Sequence, residues 1–427
     1  MPATPDIQLL LTGDELMSGD TVDSNSALIA RELGSRGLAP GRRVTLGDDR
    51  RRLVGELALL VREADAVIVN GGLGPTIDDL TAEVVAEVAG VPLAEHAEAL
   101  AHLTQWCAGR GLELNQANRK QSLLPQGCEL LHNPVGSAPG FCLQIGACLV
   151  LCTPGVPGEL RAMLGDLCAR LGAHLPAPAR RDVLRLQTFG LGESSAQQLI
   201  RDRCPDWPEE VTLSFRAGAP QLEIKLIVDD PAHRPLRDHC RARLEALFGD
   251  HILGEGDTRI AARVIELARD QGLRVTCAES CTGGNIAAML TAIPGSSEVF
   301  PGGFVTYSNA LKASVLGVQE ATLEEQGAVS EATVREMARG ALLRADADLA
   351  VAVSGIAGPG GGSASKPVGT VWLAWGCRSR IDTVCLTWPV ERVLFQTMVA
   401  AAGLDALRRR LQGITSLPRY FDQRRVR

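Results

Sequence analysis

The sequence predicts an α/β protein of two or three domains, on three observations. Apolar runs of strand length alternate three times with polar loops and helical segments in the first third, the rhythm of a parallel sheet. From about Arg181 the pattern changes to shorter strands and helices that form a small core of their own. In the last third, another apolar run gives way to Gly283-Gly284 and a helix-compatible segment. A length of 427 residues exceeds one ordinary core, and a 45% hydrophobic fraction is that of a globular chain.

The first strand, Ile7 to Leu11, ends in Gly13-Asp14-Glu15, followed by Gly19-Asp20, Asp23 and Asn25, with helix signals from Ser26 to Leu33. A second strand near Arg43 to Leu46 ends at Asp48-Asp49. A helix from Arg52 to Glu63 leads to the strand Ala66 to Val69, which ends in Gly71-Gly72-Leu-Gly74-Pro-Thr76-Ile-Asp78-Asp79. Ligands of such sheets bind beyond the carboxyl ends of the strands, where all three polar loops lie. A glycine-rich loop can wrap a diphosphate through backbone N–H groups, and clustered aspartates can hold a bridging divalent cation. The strand Cys148 to Cys152 runs into Thr153-Pro-Gly155 and is expected to close the same cleft. Arg119 and Lys120 are candidate phosphate contacts or, equally, a solvated helix face.

The middle segment reads β-α-β-β-α: strand Val183 to Thr188, helix Ala196 to Arg203, strands Val211 to Phe215 and Leu222 to Val228, helix Pro235 to Phe248. Ile252 to Gly256 reads as a linker, and Asp257 as the N-cap of the next helix.

The C-terminal strand Leu273 to Ala278 leads into Glu279-Ser280-Cys281-Thr282-Gly283-Gly284. Free N–H groups at such a turn can stabilise an anion or an oxyanion, and Ser280 beside them needs a base. The last histidine, His251, belongs to the linker, so no Asp-His-Ser arrangement offers itself. A desolvated Lys312, with the hydroxyl of Tyr307, can supply the base; the bland alternative is a helix-capping serine, a half-buried tyrosine and a solvated lysine. A third strand, Leu349 to Val353, runs into a loop rich in glycine, Ser354 to Gly369.

Composition sets limits. With 43 basic and 50 acidic residues the net charge is −7, so no general nucleic-acid affinity is expected. The basic tail from Arg419 reads as a frayed terminus. No apolar stretch reaches the length of a membrane span, and no leader pattern opens the chain, which points to the cytoplasm. The 12 cysteines show no Cys-x-x-Cys spacing, and several lie in apolar runs, so they read as reduced thiols. Cys281 is the rival nucleophile, but its side chain should point away from that of Ser280, and Ser280 is favoured.

Several long motifs in this order closely resemble the CinA family of competence/damage-inducible proteins. The resemblance implies a molybdopterin-binding-like domain with a parallel sheet over 1–170, a KH-type α+β middle domain over 171–251 and an α/β deamidase domain over 257–412. It implies that the last hydrolyses nicotinamide mononucleotide, with Ser280 as nucleophile, Lys312 as base and Tyr307 as supporting hydroxyl. Thr282, Gly283, Gly284, Asn309, Gly355 and Gly358 would then face the substrate. Arg392 matches the phosphate-binding basic residue of the family, although Val390-Glu391 replaces the usual Gly-Asp before it. For the first domain it implies cleavage of ADP-ribose with a divalent ion, magnesium, manganese or cobalt. Gly13, Glu15, Asn25, Gly71, Gly72, Gly74 and Thr76 would bind nucleotide, and Asp14, Asp48, Asp78 and Asp79 would lie nearest the metal. Two other readings stand beside it: a pterin or nucleotide binding module without turnover, and an interaction protein with a recombinase partner. The middle domain lacks the Gly-x-x-Gly loop of RNA-binding KH modules and reads as a spacer or dimerisation element, giving a homodimer.

Overall fold

The computed structural model describes residues 5–176 and 181–425. The chain divides into two compact units, Met1–Arg181 and Asp182–Arg427.

In the first unit the strands are β1 (Ile7–Thr12), β2 (Pro40–Leu46), β3 (Ala66–Asn70), β4 (Leu93–Glu95), β5 (Leu123–Pro125), β6 (Glu129–Leu131), β7 (Gly140–Ile145) and β8 (Cys148–Thr153). The main sheet has the order β2-β1-β3-β8-β7-β6, parallel from β2 to β8 and antiparallel beyond, while β4 and β5 form a separate ribbon. β1, β3 and β8 are buried at every position, which explains why they read as mainly apolar runs, broken in β1 only by Gln8, rather than alternating ones. Leu9 and Leu11 face the helices of Ile29 and Leu160; Leu10 and Val69 face those of Leu57 and Val84. With both faces covered, the loops after β1, β3 and β8 share one edge of the sheet.

The second unit begins with β9 (Asp182–Thr188), β10 (Thr212–Ala217), β11 (Leu222–Val228) and β12 (Ile252–Glu255), an antiparallel sheet of order β10-β11-β9-β12. The expected linker is thus an edge strand. Apolar Leu253 is buried, and the Phe189 N–H donates to the His251 carbonyl at 3.0 Å, so pairing with β9 continues past the helix. Asp257 does not cap the next helix. That helix starts at Ile260, whose N–H donates 2.9 Å to Gln221 Oε1 from the middle sheet.

Beyond it, β13 (Val275–Glu279), β14 (Gly303–Val305), β15 (Leu349–Gly355), β16 (Thr370–Cys377) and β17 (Arg380–Thr387) form a sheet of order β14-β13-β15-β16-β17. The first three are parallel, and the last two antiparallel. Helices Ile260–Asp270 and Arg392–Leu411 cover one face and Glu331–Arg344 the other. Over its described residues, Arg419 to Arg425, the tail is not frayed, and residues 426–427 lie outside the described ones. Arg419–Arg424 is a helix that buries Tyr420 and Phe421. The Tyr420 hydroxyl donates 3.0 Å to Asp405, which also accepts from Arg408 and Arg409. Its ring lies so close to Gly190 that a Cβ there would stand 2.2 Å from Cδ1. The arginines that suggested a solvated tail hid two aromatic residues that belong to the core. All 12 cysteines are free thiols.

Candidate functional site

Ser280 stands where β13 ends, and its N–H donates 3.0 Å to the Val353 carbonyl at the end of β15. The chain then turns through Gly283 (φ +63°) and Gly284 (φ +103°), left-handed conformations that a side chain would strain. The helix Asn285–Thr291 comes next, as expected. Lys312 projects from helix Asn309–Leu316, capped by Ser308, and is only 1% exposed. Its Nζ lies 3.0 Å from Ser280 Oγ, 2.9 Å from the Thr306 carbonyl and 3.2 Å from that of Tyr307.

Burial pushes the Lys312 amine down from its ordinary value, against a smaller opposing effect of Cys281. No carboxylate ion-pairs with it among the described residues. Nζ donates to all three oxygens; once the amine has given up a proton, two N–H bonds suffice for the two carbonyls and the lone pair can face the serine hydroxyl. That is the arrangement of a base poised on a nucleophile. Cys281 is also buried, and desolvation raises its thiol to about 12. A thiol held protonated is a poor nucleophile.

Three sequence expectations change. The helix N-terminus after Ser280 is not open to substrate: Glu279, fully buried, accepts from the N–H groups of Gly284 at 3.0 Å, Ile286 at 3.1 Å and Ala287 at 2.8 Å. The Gly283 N–H donates to the Ser280 carbonyl, and Thr282 is buried with its hydroxyl unpartnered. The Tyr307 hydroxyl meets neither Ser280 nor Lys312. It accepts from Arg392 Nη2 at 3.0 Å, because the exposed ring turns outward while the backbone carbonyl holds the lysine. Asn309 is exposed at the start of its helix and does not line the pocket.

The pocket over Ser280 holds about 180 Å³, bounded by Tyr307, Lys312, Val329, Ser354, Gly355 and Arg392. Arg392 spans it, with Nη1 2.7 Å from the Gly358 carbonyl of the glycine-rich loop. Glu391, where the family pattern has Asp, accepts from Val393 N and so caps the helix that carries the arginine. Sequence reasoning passed over Glu279 itself. A carboxylate inside an apolar strand, one residue before the nucleophile, was the available sign.

In the first unit a cleft of about 490 Å³ lies at the carboxyl edge of the sheet. Gly13, Glu15 and Asp48 line it from β1 and β2; Gly71, Gly72, Gly74, Asp78 and Asp79 from the loop after β3; Gly155 and Glu159 from the segment after β8. Asn25 does not: its amide is buried, donating to Asn70 Oδ1 at 2.9 Å and to the Gly155 carbonyl. Thr76 bonds back to Asp79 within its loop. Asp14 accepts from the Asp48 N–H at 3.0 Å, and Asp48 from that of Asp14 at 3.1 Å and from the Thr12 hydroxyl. The candidate phosphate contacts are engaged elsewhere, Arg119 with Glu95 and Lys120 with the carbonyls of Thr76 and Asp79.

Among the described residues no three acidic, histidine or cysteine side chains converge as metal ligands. Oxygen donors alone line the cleft, which suits a hard divalent cation held by one or two carboxylates plus substrate phosphates.

Two family models match the chain, the CinA C-terminal domain over residues 257–411 and a "Probable molybdopterin binding domain" over residues 8–173. A CinA-like protein of Colwellia psychrerythraea is 48% identical over 99% of both chains. This chain belongs to the CinA family. Another member, from Shewanella oneidensis and named nicotinamide-nucleotide amidohydrolase PncC, is 37% identical over 95% of this chain and 96% of its own. A solved CinA superfamily protein from Klebsiella pneumoniae is 40% identical over 36% of this chain and 96% of that one, with a TM-score of 0.35. No helix among the described residues is long and apolar enough to cross a membrane.

Proposed function

We propose that the pocket over Ser280 deamidates nicotinamide mononucleotide. The observation that carries this reading is the buried Lys312 amine 3.0 Å from Ser280 Oγ. Lys312 takes the hydroxyl proton as Oγ forms a bond to the carboxamide carbon. The proton returns to the nitrogen as the C–N bond breaks and ammonia leaves. Water then attacks the ester, Lys312 again taking its proton, and nicotinate mononucleotide is released with the serine restored. Arg392 meets the substrate phosphate, and Tyr307 steadies that guanidinium. The amidohydrolase name of the Shewanella relative supports this reading. Ammonia release by the parent and its loss in a folded Ser280→Ala protein would test it; equal release by both would end it.

The cleft of the first unit is proposed to bind ADP-ribose, its diphosphate on the glycine loop. A divalent ion, when bound, would neutralise diphosphate charge there. Asp48, Asp78 and Asp79 line the cleft, so one or two of them are the proposed carboxylates to hold it, and Asp14 keeps Asp48 in place. The spread of these carboxylates also favours a second reading, nucleotide binding without cleavage. Turnover of ADP-ribose with added magnesium, manganese or cobalt separates the two. A homodimer, residence in the cytoplasm and a recombinase partner are further proposals of the same family reading.

A further inference from the structure

A second serine stands beside the nucleophile. Glu279 of β13 pairs with Val353 of β15 in parallel register, and the Ser280 N–H, bonded to the Val353 carbonyl at 3.0 Å, carries that pairing one residue on, to Ser354. Neighbouring strands lie about 4.8 Å apart and paired residues share a face, so Ser280 and Ser354 line the same pocket of about 180 Å³. Ser354 is 1% exposed, and its Oγ donates 2.7 Å to the carbonyl of Ala328. A carbonyl can only accept, so the hydroxyl hydrogen is committed to it and lone pairs alone are left toward the pocket. No donor among the described residues meets that oxygen. Arg392 and Tyr307, by contrast, bring hydrogens to the pocket. A buried acceptor of this kind favours a ligand with an N–H to give.

We infer that Ser354 is the specificity-determining residue of this pocket: it accepts an N–H of the carboxamide and so selects the amide over the carboxylate that replaces it. The inference rests on the reading that the pocket deamidates nicotinamide mononucleotide. A carboxamide can be turned either way about its bond to the ring, presenting nitrogen or oxygen to Ser354. Oxygen there would set acceptor against acceptor, so the amide nitrogen takes that place and the carbonyl oxygen points away from it. Hydrolysis exchanges the NH2 for a second oxygen, and either way round the carboxylate then meets the lone pairs of Ser354. The side chain that orients the substrate thereby disfavours the product.

The test is titration calorimetry of the full-length protein carrying Ser280→Ala, so that binding is read without turnover. The ligands are nicotinamide mononucleotide, its methyl-ketone analogue, in which CH3 replaces the NH2, and nicotinate mononucleotide. The amide should bind roughly tenfold or more tightly than the methyl ketone, which keeps the carbonyl and lacks the donor. Equal affinities, a tighter methyl ketone or binding of none of the three would each overturn the inference. Adding Ser354→Ala should weaken the amide and tighten the carboxylate, each by roughly threefold or more. Shifts of both ligands in the same direction, as a merely structural role would give, or no shift in either, would overturn the assignment. If this variant does not fold, the comparison of amide with methyl ketone decides alone. Ammonia release by the parent is scored separately. A parent that releases ammonia, with amide and methyl ketone bound alike, keeps the deamidase and retires the role of Ser354. One that releases none, while its Ser280→Ala form prefers the amide, does the reverse.

Discussion

The carboxylate of Glu279 accepts from the backbone N–H of Ala287 at 2.8 Å, and so fills from within the protein a helix terminus that the sequence offers to substrate. Glu279→Gln exchanges one acceptor oxygen for a donor that faces N–H groups. A charge-assisted bond of about 1.5 to 3 kcal/mol is lost, and urea denaturation should show at least that destabilisation. The turn that carries Ser280 loosens with it, so deamidase turnover should fall too.

Lys312 should be functional as the free amine. Its affinity for a proton is lowered by burial, so the rate should rise with pH through a pKa below the ordinary lysine value of 10.5. Between that lowered value and 10.5 the unfolded chain holds a proton that the folded chain has released, and stability therefore rises with pH across this window. Lys312→Met should fold, lose ammonia release and lose that pH-dependent contribution, read by paired rate profiles and melting curves.

Cys281 should be dispensable for the chemistry. Cys281→Ala is expected to release ammonia at a rate within about threefold of the parent, because a thiol raised to about 12 is protonated at any working pH. Loss of activity on the scale of Ser280→Ala would transfer the nucleophile's role to the cysteine.

Arg392→Ala removes a guanidinium bridging Tyr307 and Gly358 over the pocket. Losing a charged hydrogen bond of about 1.5 to 3 kcal/mol to the substrate phosphate should raise KM by roughly ten- to a hundredfold, with a smaller change in kcat. Tyr307→Phe, which leaves the guanidinium in place, should raise KM less. Steady-state kinetics on nicotinamide mononucleotide distinguish these outcomes.

Phe421→Ala should cost about 3 to 5 kcal/mol, as for a fully buried aromatic residue, although the residue lies close to the end of the chain. Chemical denaturation measures it. A loss under about 1 kcal/mol would mean that the tail helix contributes little to the core.

The strands were legible because buried parallel strands leave apolar runs: Ile7 to Leu11, Ala66 to Val69 and Leu349 to Val353 all fall within observed strands. The pairing of Ser280 with Lys312 was legible from residue type and motif. What stayed hidden was set by partners far along the chain. Nothing local to Asn25 reveals that its amide is spent on Gly155, nor that the Tyr307 hydroxyl would be taken by Arg392. Ile252 to Gly256 has the composition of a linker, and only β9 makes it a strand. The tail misled because its charge outweighs two aromatic residues in any local average.

Phe189 and Leu253 from the middle sheet share one apolar cluster with Val264, Trp388, Tyr420 and Phe421. Sequence similarity would invite excision at residue 257, yet a fragment cut there would bare the aromatic face on which its own last helix rests. For a laboratory wishing to study the C-terminal domain alone, a start before β9 keeps Phe189 and Leu253 in that cluster, whereas a start after β12 removes both. The family match begins at residue 257, whereas the compact unit that contains it begins at Asp182, so the boundary drawn by similarity falls inside a shared core.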